Sequence, residues 1–275
     1  MDRVSVIIPT HNRAGLIRET LDSVLAQTWG DYEIVVVDDG SEDDTAGVLA
    51  ELGGRVIYRR IEHAGAGAAR NVGLEMARGE FVAFLDSDDV WDARFMEKML
   101  AALRQASWAG LAYCNYATFD DRGAIQAACL APNEKIRGNL FPKLIEGDFL
   151  CTGSLLIRRT CLEQAGRFDP GLAVAHDWDM WLRLAWRNDA EYLDEPLLKI
   201  RFHPGNLSRN AQQVHTDNLR ILAKLRRDLQ AKRFHPAIRT TALRSHRALF
   251  SHYRRTRRPL SALKQLGLMA VVRFL

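Results

Sequence analysis

Phe81-Val82-Ala83-Phe84-Leu85 runs directly into Asp86-Ser87-Asp88-Asp89, and this abrupt change from apolar to acidic limits what the chain can fold into. A short run of apolar residues in sequence suits a strand buried on both faces. Three carboxylates crowded at its end repel one another unless a cation sits among them. Glu33-Ile34-Val35-Val36-Val37 followed by Asp38-Asp39-Gly40-Ser41 repeats the design. Strands of this kind belong to parallel sheets covered by crossover helices, which bind ligands at the carboxyl ends of the strands. Two acidic strand ends on one edge therefore describe a site for a divalent ion and a phosphate-bearing ligand.

The first hundred residues keep to that plan. Strands are predicted at Val4–Ile8, Glu33–Val37, Val56–Arg59 and Glu80–Leu85, with helices at Ala14–Gln27, Asp43–Leu52 and Gly67–Ala77. Leu16, Ile17, Leu21, Val24 and Leu25 recur at helical spacing, so one stripe can cover the sheet. Pro9 is expected to end the first strand. Beyond Asp89 the order is less regular: a helix at Ala93–Gln105, a strand at Leu111–Phe119, a polar loop from Asp120 to Pro132, a short strand at Leu155–Arg158 and a helix at Asp177–Asn188. From Asn210 onward the pattern is helical, divided into three pieces by Pro236 and Pro259.

Each acidic or basic cluster has a purely structural alternative. Asp38-Asp39-Gly40-Ser41 is also a common turn. Asp88 or Asp89 can cap the helix that follows, although one carboxylate suffices for a cap. Gly65-Ala66-Gly67-Ala68-Ala69-Arg70-Asn71 can bring backbone amides and the Arg70 guanidinium to a phosphate, or it can be a close helix–sheet contact. Asp177 and Asp179 can be helix-start carboxylates, and Trp178 and Trp181 either core or sugar-stacking rings.

Taken together, Val4-Ser5-Val6-Ile7-Ile8-Pro9-Thr10-His11-Asn12-Arg13, the Asp-Asp-Gly-Ser strand end, Gly67-Ala68-Ala69-Arg70-Asn71-Val72-Gly73 and Asp86-Ser87-Asp88-Asp89 resemble a family 2 glycosyltransferase from Val4 to about Arg209. The resemblance implies an α/β fold of the GT-A type, a mixed and mainly parallel sheet flanked by helices, and inverting sugar transfer from a nucleotide-diphospho-sugar, preferably UDP-linked. It implies that Pro9, Thr10, Asn12, Asp39, Arg70, Asp86, Ser87 and Asp88 hold the donor. Asp88, Asp89 and His203 would ligate Mn²⁺ or Mg²⁺, and Asp177 would be the general base, with Arg201 and Arg209 weaker candidates for the diphosphate. Where the family often has Glu-Asp, this chain has His176-Asp177. The acceptor would be a carbohydrate or glycolipid, in the assembly of surface polysaccharide. A sugar-phosphate nucleotidyltransferase would need a Gly-rich, basic triphosphate loop after the first strand, which is missing from the sequence; a non-catalytic binding module remains the other alternative.

The resemblance implies a catalytic domain at 1–209 (a donor half at 1–105, an acceptor half at 106–209), followed by a basic helical extension at 210–275. The extension holds 15 Lys/Arg against 2 Asp/Glu, a net charge of +13 within a total of +4. Residues 254–275 have the make-up of a helix that lies on a membrane surface, or one that packs on the catalytic domain or a second subunit. No motif favours nucleic acid. The sequence shows no secretory leader and no membrane span, so a cytoplasmic protein, at the inner face of the membrane if the tail binds lipid, is expected. Cys114, Cys129, Cys151 and Cys161 form no CxxC pair and are expected to be free thiols.

Overall fold

A computed structural model describes residues 2–120, 123, 125–126, 130–203, 205–227 and 229–274. Its centre is one mixed sheet. Strands β1 (Val4–Thr10), β2 (Tyr32–Asp39), β3 (Ile57–Ile61) and β4 (Phe81–Phe84) are joined by helices α1 (Ile17–Leu25), α2 (Thr45–Ala50) and α3 (Ala66–Met76). They lie parallel in the order β3-β2-β1-β4. A two-residue β5 (Val90–Trp91) and α4 (Phe95–Gln105) follow, then β6 (Ala109–Asp120), β7 (Ile125–Gln126), α5 (Phe141–Leu144), β8 (Leu155–Arg158), α6 (Arg159–Ala165), α7 (His176–Ala185) and β9 (Asp189–Phe202). The sheet continues β4-β8-β6-β9-β5, with β8 antiparallel to both neighbours and β6 parallel to β9.

Side chains alternate across a strand, and here both faces are buried. Val4, Val6 and Ile8 point to one face with Ile17, Leu21, Phe95 and Met99, while Ile7, Val35 and Val37 point to the other with Ala69, Trp178 and Trp181. Both tryptophans are 1% exposed, which assigns them to the core and removes the stacking alternative. Gly73 is where α3 lies closest to β1: a Cβ there would collide with Cγ2 of the buried, β-branched Ile7. Gly73→Ala is therefore expected to cost about 1–3 kcal/mol by overpacking; an unchanged chemical-denaturation midpoint would refute this account of the motif's last glycine.

Pro9 lies within β1 and does not end it. It pairs in register with Val37, but β4 accompanies β1 only as far as Ile7, so the missing amide disturbs no ladder on that side. Strand β9 runs through Asp194, Glu195 and Pro196, residue types that disfavour a strand. Its Pro196 falls at a register shift opposite Asn115, where a bulge interrupts the ladder with β6.

The extension forms α8 (Ala211–Arg227), α9 (His235–Arg255) and α10 (Pro259–Phe274), with Pro236 in the first turn of α9 and Pro259 opening α10, where a missing amide is harmless. Ile221, Leu222, Ile238 and Ala242 join the same apolar cluster as α7 and the sheet. Among the described residues no helix is long and apolar enough to cross a membrane. Cys114, Cys151 and Cys161 are free thiols, and Cys129 lies outside the described residues.

Candidate active site

Beyond β4 the chain makes a tight turn in which the Asp89 amide donates to the Asp86 carbonyl at 3.1 Å. The turn sends its three carboxylates in different directions. Asp88 Oδ2 meets His203 Nε2 at 2.9 Å and the Arg13 guanidinium at 3.6 Å. Asp86 pairs with Arg70. Asp89 turns inward and accepts the Arg201 amide at 3.0 Å. Burial, followed by the charges of Asp86 and Asp88, raises its carboxyl well above the usual range. The capping alternative fails, because α4 begins at Phe95 and the Arg94 amide donates to Asp92 Oδ1 instead. Ser87 is buried in the turn.

The structure thus brings Asp88 and His203 together and ties Asp89 to β9. Ligands at right angles around an ion with bonds of about 2.1 Å stand roughly 3 Å apart, close to the Asp88–His203 separation. Carboxylate oxygen suits Mg²⁺ and Mn²⁺, and imidazole is an acceptable additional ligand for a transition ion, so the donor set fits the expected cation. Arg201 is a structural residue: its guanidinium contacts the Asp88 carbonyl, pairs with Glu19 and lies over the Phe119 ring at 4.3 Å.

Arg70 is 4% exposed and links two distant parts of the chain, contacting Asp86 at the strand end and His176 Nε2 at the start of α7. Burial, followed by the Arg70 charge, lowers the His176 pKa to about 3, so its ring is neutral at physiological pH. A neutral ring at His176 leaves the Arg70 charge to Asp86 and Asp177. The next residue, Asp177, is anchored by the Trp178 amide at 2.8 Å and approached by Thr152 Oγ1 at 3.4 Å. Burial raises its pKa despite the opposing pull of Arg70.

Two carboxylates in this region carry no sequence signal. Asp148, exposed in the loop before Cys151, lies close enough to Asp177 for the two charges to interact. Asp217, on α8 and 0% exposed, accepts the Val174 and Ala175 amides at 2.8 and 3.3 Å. Helix α7 has no capping side chain of its own, so the extension supplies the partner for the amides at its start.

At the other acidic strand end the two aspartates do different work. Asp38 Oδ1 accepts the Ser41 amide at 2.8 Å, which is the turn alternative realised. Asp39 accepts the Ala64 and Gly65 amides at 2.7 and 2.9 Å, and so fixes the loop that opens α3, where Gly65 has φ +92°. Asn12, with φ +52°, accepts the Glu42 amide at 2.7 Å and joins the end of β1 to the same edge. Pro9 and Thr10 are buried at that end, and Thr10 Oγ1 has no hydrogen-bond partner among the described residues. His11 and His63 stack with ring centroids 4.3 Å apart beside Asp39, and these three residues offer possible ligand atoms within 4.8 Å of one another. Neither histidine was singled out from the sequence, since both are lone residues in loops.

The mainly parallel sheet, flanked by helices and carrying two acidic strand ends, is a GT-A-like fold. The sequence pattern described as Glycosyl transferase family 2 matches residues 5–165, more than half of the chain, and the chain belongs to that family. It is 34% identical over 215 residues to an uncharacterized glycosyltransferase of Rickettsia prowazekii, covering 76% of this chain and 66% of that protein. It is 30% identical over 221 residues to the glycosyltransferase GlyA of Streptococcus pneumoniae, covering 76% of this chain and 32% of that one. The chain thus spans about a third to two thirds of the length of these curated relatives. Among solved structures, it resembles S. aureus TarS 1-349 in complex with UDP-GlcNAc, with a TM-score of 0.72 at 18% identity over 94% of this chain and 89% of that one. It also resembles the mannosyltransferase PcManGT from Pyrobaculum calidifontis in complex with GDP-Man and Mn²⁺, with a TM-score of 0.63 at 21% identity over 98% and 82%.

Proposed function

We propose that this family 2 glycosyltransferase moves a sugar, with inversion, from a UDP-linked donor to a hydroxyl of a carbohydrate or glycolipid acceptor. The observation that carries this reading is the Arg70 guanidinium, in contact at once with Asp86 on the donor side and with His176, the neighbour of Asp177. Donor site and base are thereby fixed relative to each other. Asp177 takes the proton of the acceptor hydroxyl as its oxygen attacks the anomeric carbon; the bond to the diphosphate oxygen breaks, and nucleoside diphosphate leaves. Arg70 and Arg13 lie where they can meet the charge that develops on the diphosphate. Asp88 and His203 would hold Mn²⁺ or Mg²⁺, which when bound supplies a Lewis acid for the leaving diphosphate. Pro9, Thr10, Asn12 and Asp39 shape the nucleoside end, with the unpartnered Thr10 hydroxyl available to it.

Thermal unfolding with UDP, GDP, dTDP or CDP, each with Mn²⁺, Mg²⁺ or EDTA, tests the donor half of this reading. A ligand at 100 times its Kd stabilises by about 2.7 kcal/mol. The expected result is a shift with UDP that requires the ion and is lost in Asp88→Asn. No shift with any nucleotide, or one indifferent to EDTA and to Asp88→Asn, would overturn it.

A further inference from the structure

We infer that the outer face of α10, together with the arginine-rich turn before it, is a docking surface for an anionic phospholipid membrane. Leu260, Leu263 and Val271 are 81%, 62% and 54% exposed. At 100° per residue they fall on one side of the helix with Gly267. Leu266, 45% exposed, widens the stripe on one side, and the exposed Lys264 borders it on the other, ahead of Leu268 at 37% exposure. The opposite side is fixed to the protein: Ala262 and Gln265 are 4% and 8% exposed, and Gln265 Oε1 accepts a hydrogen bond from His246 Nδ1 of α9 at 2.7 Å. The leucines therefore cannot turn inward without breaking a buried contact. A continuous apolar face of this kind on an otherwise polar surface marks an interaction site.

Charge selects the partner. Arg254, Arg255, Arg257 and Arg258 are all exposed where α9 passes into α10. No carboxylate lies in the sequence between Asp228 and the end of the chain, and Asp217 is buried against the start of α7. A symmetric pairing of two copies through this face would bring arginines against arginines. An anionic leaflet offers the opposite charge beside an apolar layer, which is what a helix with leucines outward and arginines at its end can use.

Co-sedimentation of the full chain with vesicles of phosphatidylcholine alone, or of phosphatidylcholine with phosphatidylglycerol, tests this. Binding is expected only with phosphatidylglycerol present and is expected to weaken with salt. Arg255→Ala and Arg258→Ala should each reduce the partition coefficient by about fivefold. Leu260→Ser with Leu263→Ser should lower it at unchanged charge. Both residues of that pair are on the surface, so an unchanged thermal midpoint certifies the fold. Equal binding to neutral vesicles, no binding to either, or a dimer that dissociates when Leu260 and Leu263 become serine would each overturn the inference.

Discussion

Asp177→Asn is expected to lower kcat by about 10²–10⁴-fold, the usual worth of a positioned general base, while nucleotide and ion still shift the unfolding temperature. The asparagine keeps the Trp178 amide contact and loses only the ability to take a proton. The same residue should set the acid side of the pH–rate profile. Because burial raises its pKa above the ordinary 3.8, the basic form is lost as pH falls through that raised value, and activity should decline at a higher pH than an exposed aspartate would allow. A decline at or below the ordinary aspartate value, or near-complete activity in Asp177→Asn at saturating substrates, would take the role of base away from Asp177.

Asp217→Ala should cost about 3 kcal/mol, the scale of leaving buried donors without an acceptor, or roughly 6–12 °C in Tm for a chain of this size. Three groups lose their partner: the Val174 and Ala175 amides, and Gln213, whose side chain donates to Asp217 at 2.9 Å. Since those amides begin the helix that carries His176 and Asp177, kcat should fall as well, although Asp217 contacts no substrate in the proposed reaction. Asp217→Asn keeps one acceptor oxygen and should recover part of both losses. A Tm unchanged in Asp217→Ala would show that water replaces the carboxylate and that the extension does not support the catalytic helix.

The donor half was legible because its signals are local. Strands β1, β2 and β4 are runs of Val, Ile or Phe, and β2 and β4 lead into carboxylates, so these strands, the Asp86–Asp89 turn and the Gly67–Gly73 segment could be read from neighbours in sequence, whereas β3, Ile-Tyr-Arg-Arg-Ile, is an exposed edge. The acceptor half depends on contacts that a linear reading cannot weigh. The sequence reading gave no extent to the strand that precedes His203; β9 includes Asp194, Glu195 and Pro196, which argue against a strand until a bulge and the partner β6 are in place. Asp89 looked like Asp88 because only the fold distinguishes a carboxylate facing His203 from one facing the Arg201 amide. Asp148 and Asp217 belong to no motif, and their importance comes from what packs against them. Apolar side chains between the arginines of the extension pack into the common core, a contact that charge counting does not show.

The pairing of Asp88 with His203 spans 115 residues of chain, and this separation has a consequence for synthesis. At ribosomal rates of about 5–20 residues per second, the histidine follows the aspartate by roughly 6–23 s, far longer than a parallel βαβ unit needs to collapse. The growing chain therefore carries β1 to β4 before the residues that hold Asp88 and Asp89 have been made. During that interval the nascent protein can neither complete the proposed ion site nor lay down β9 beside β6, so the proposed competence for donor binding waits for translation of about the first three quarters of the chain.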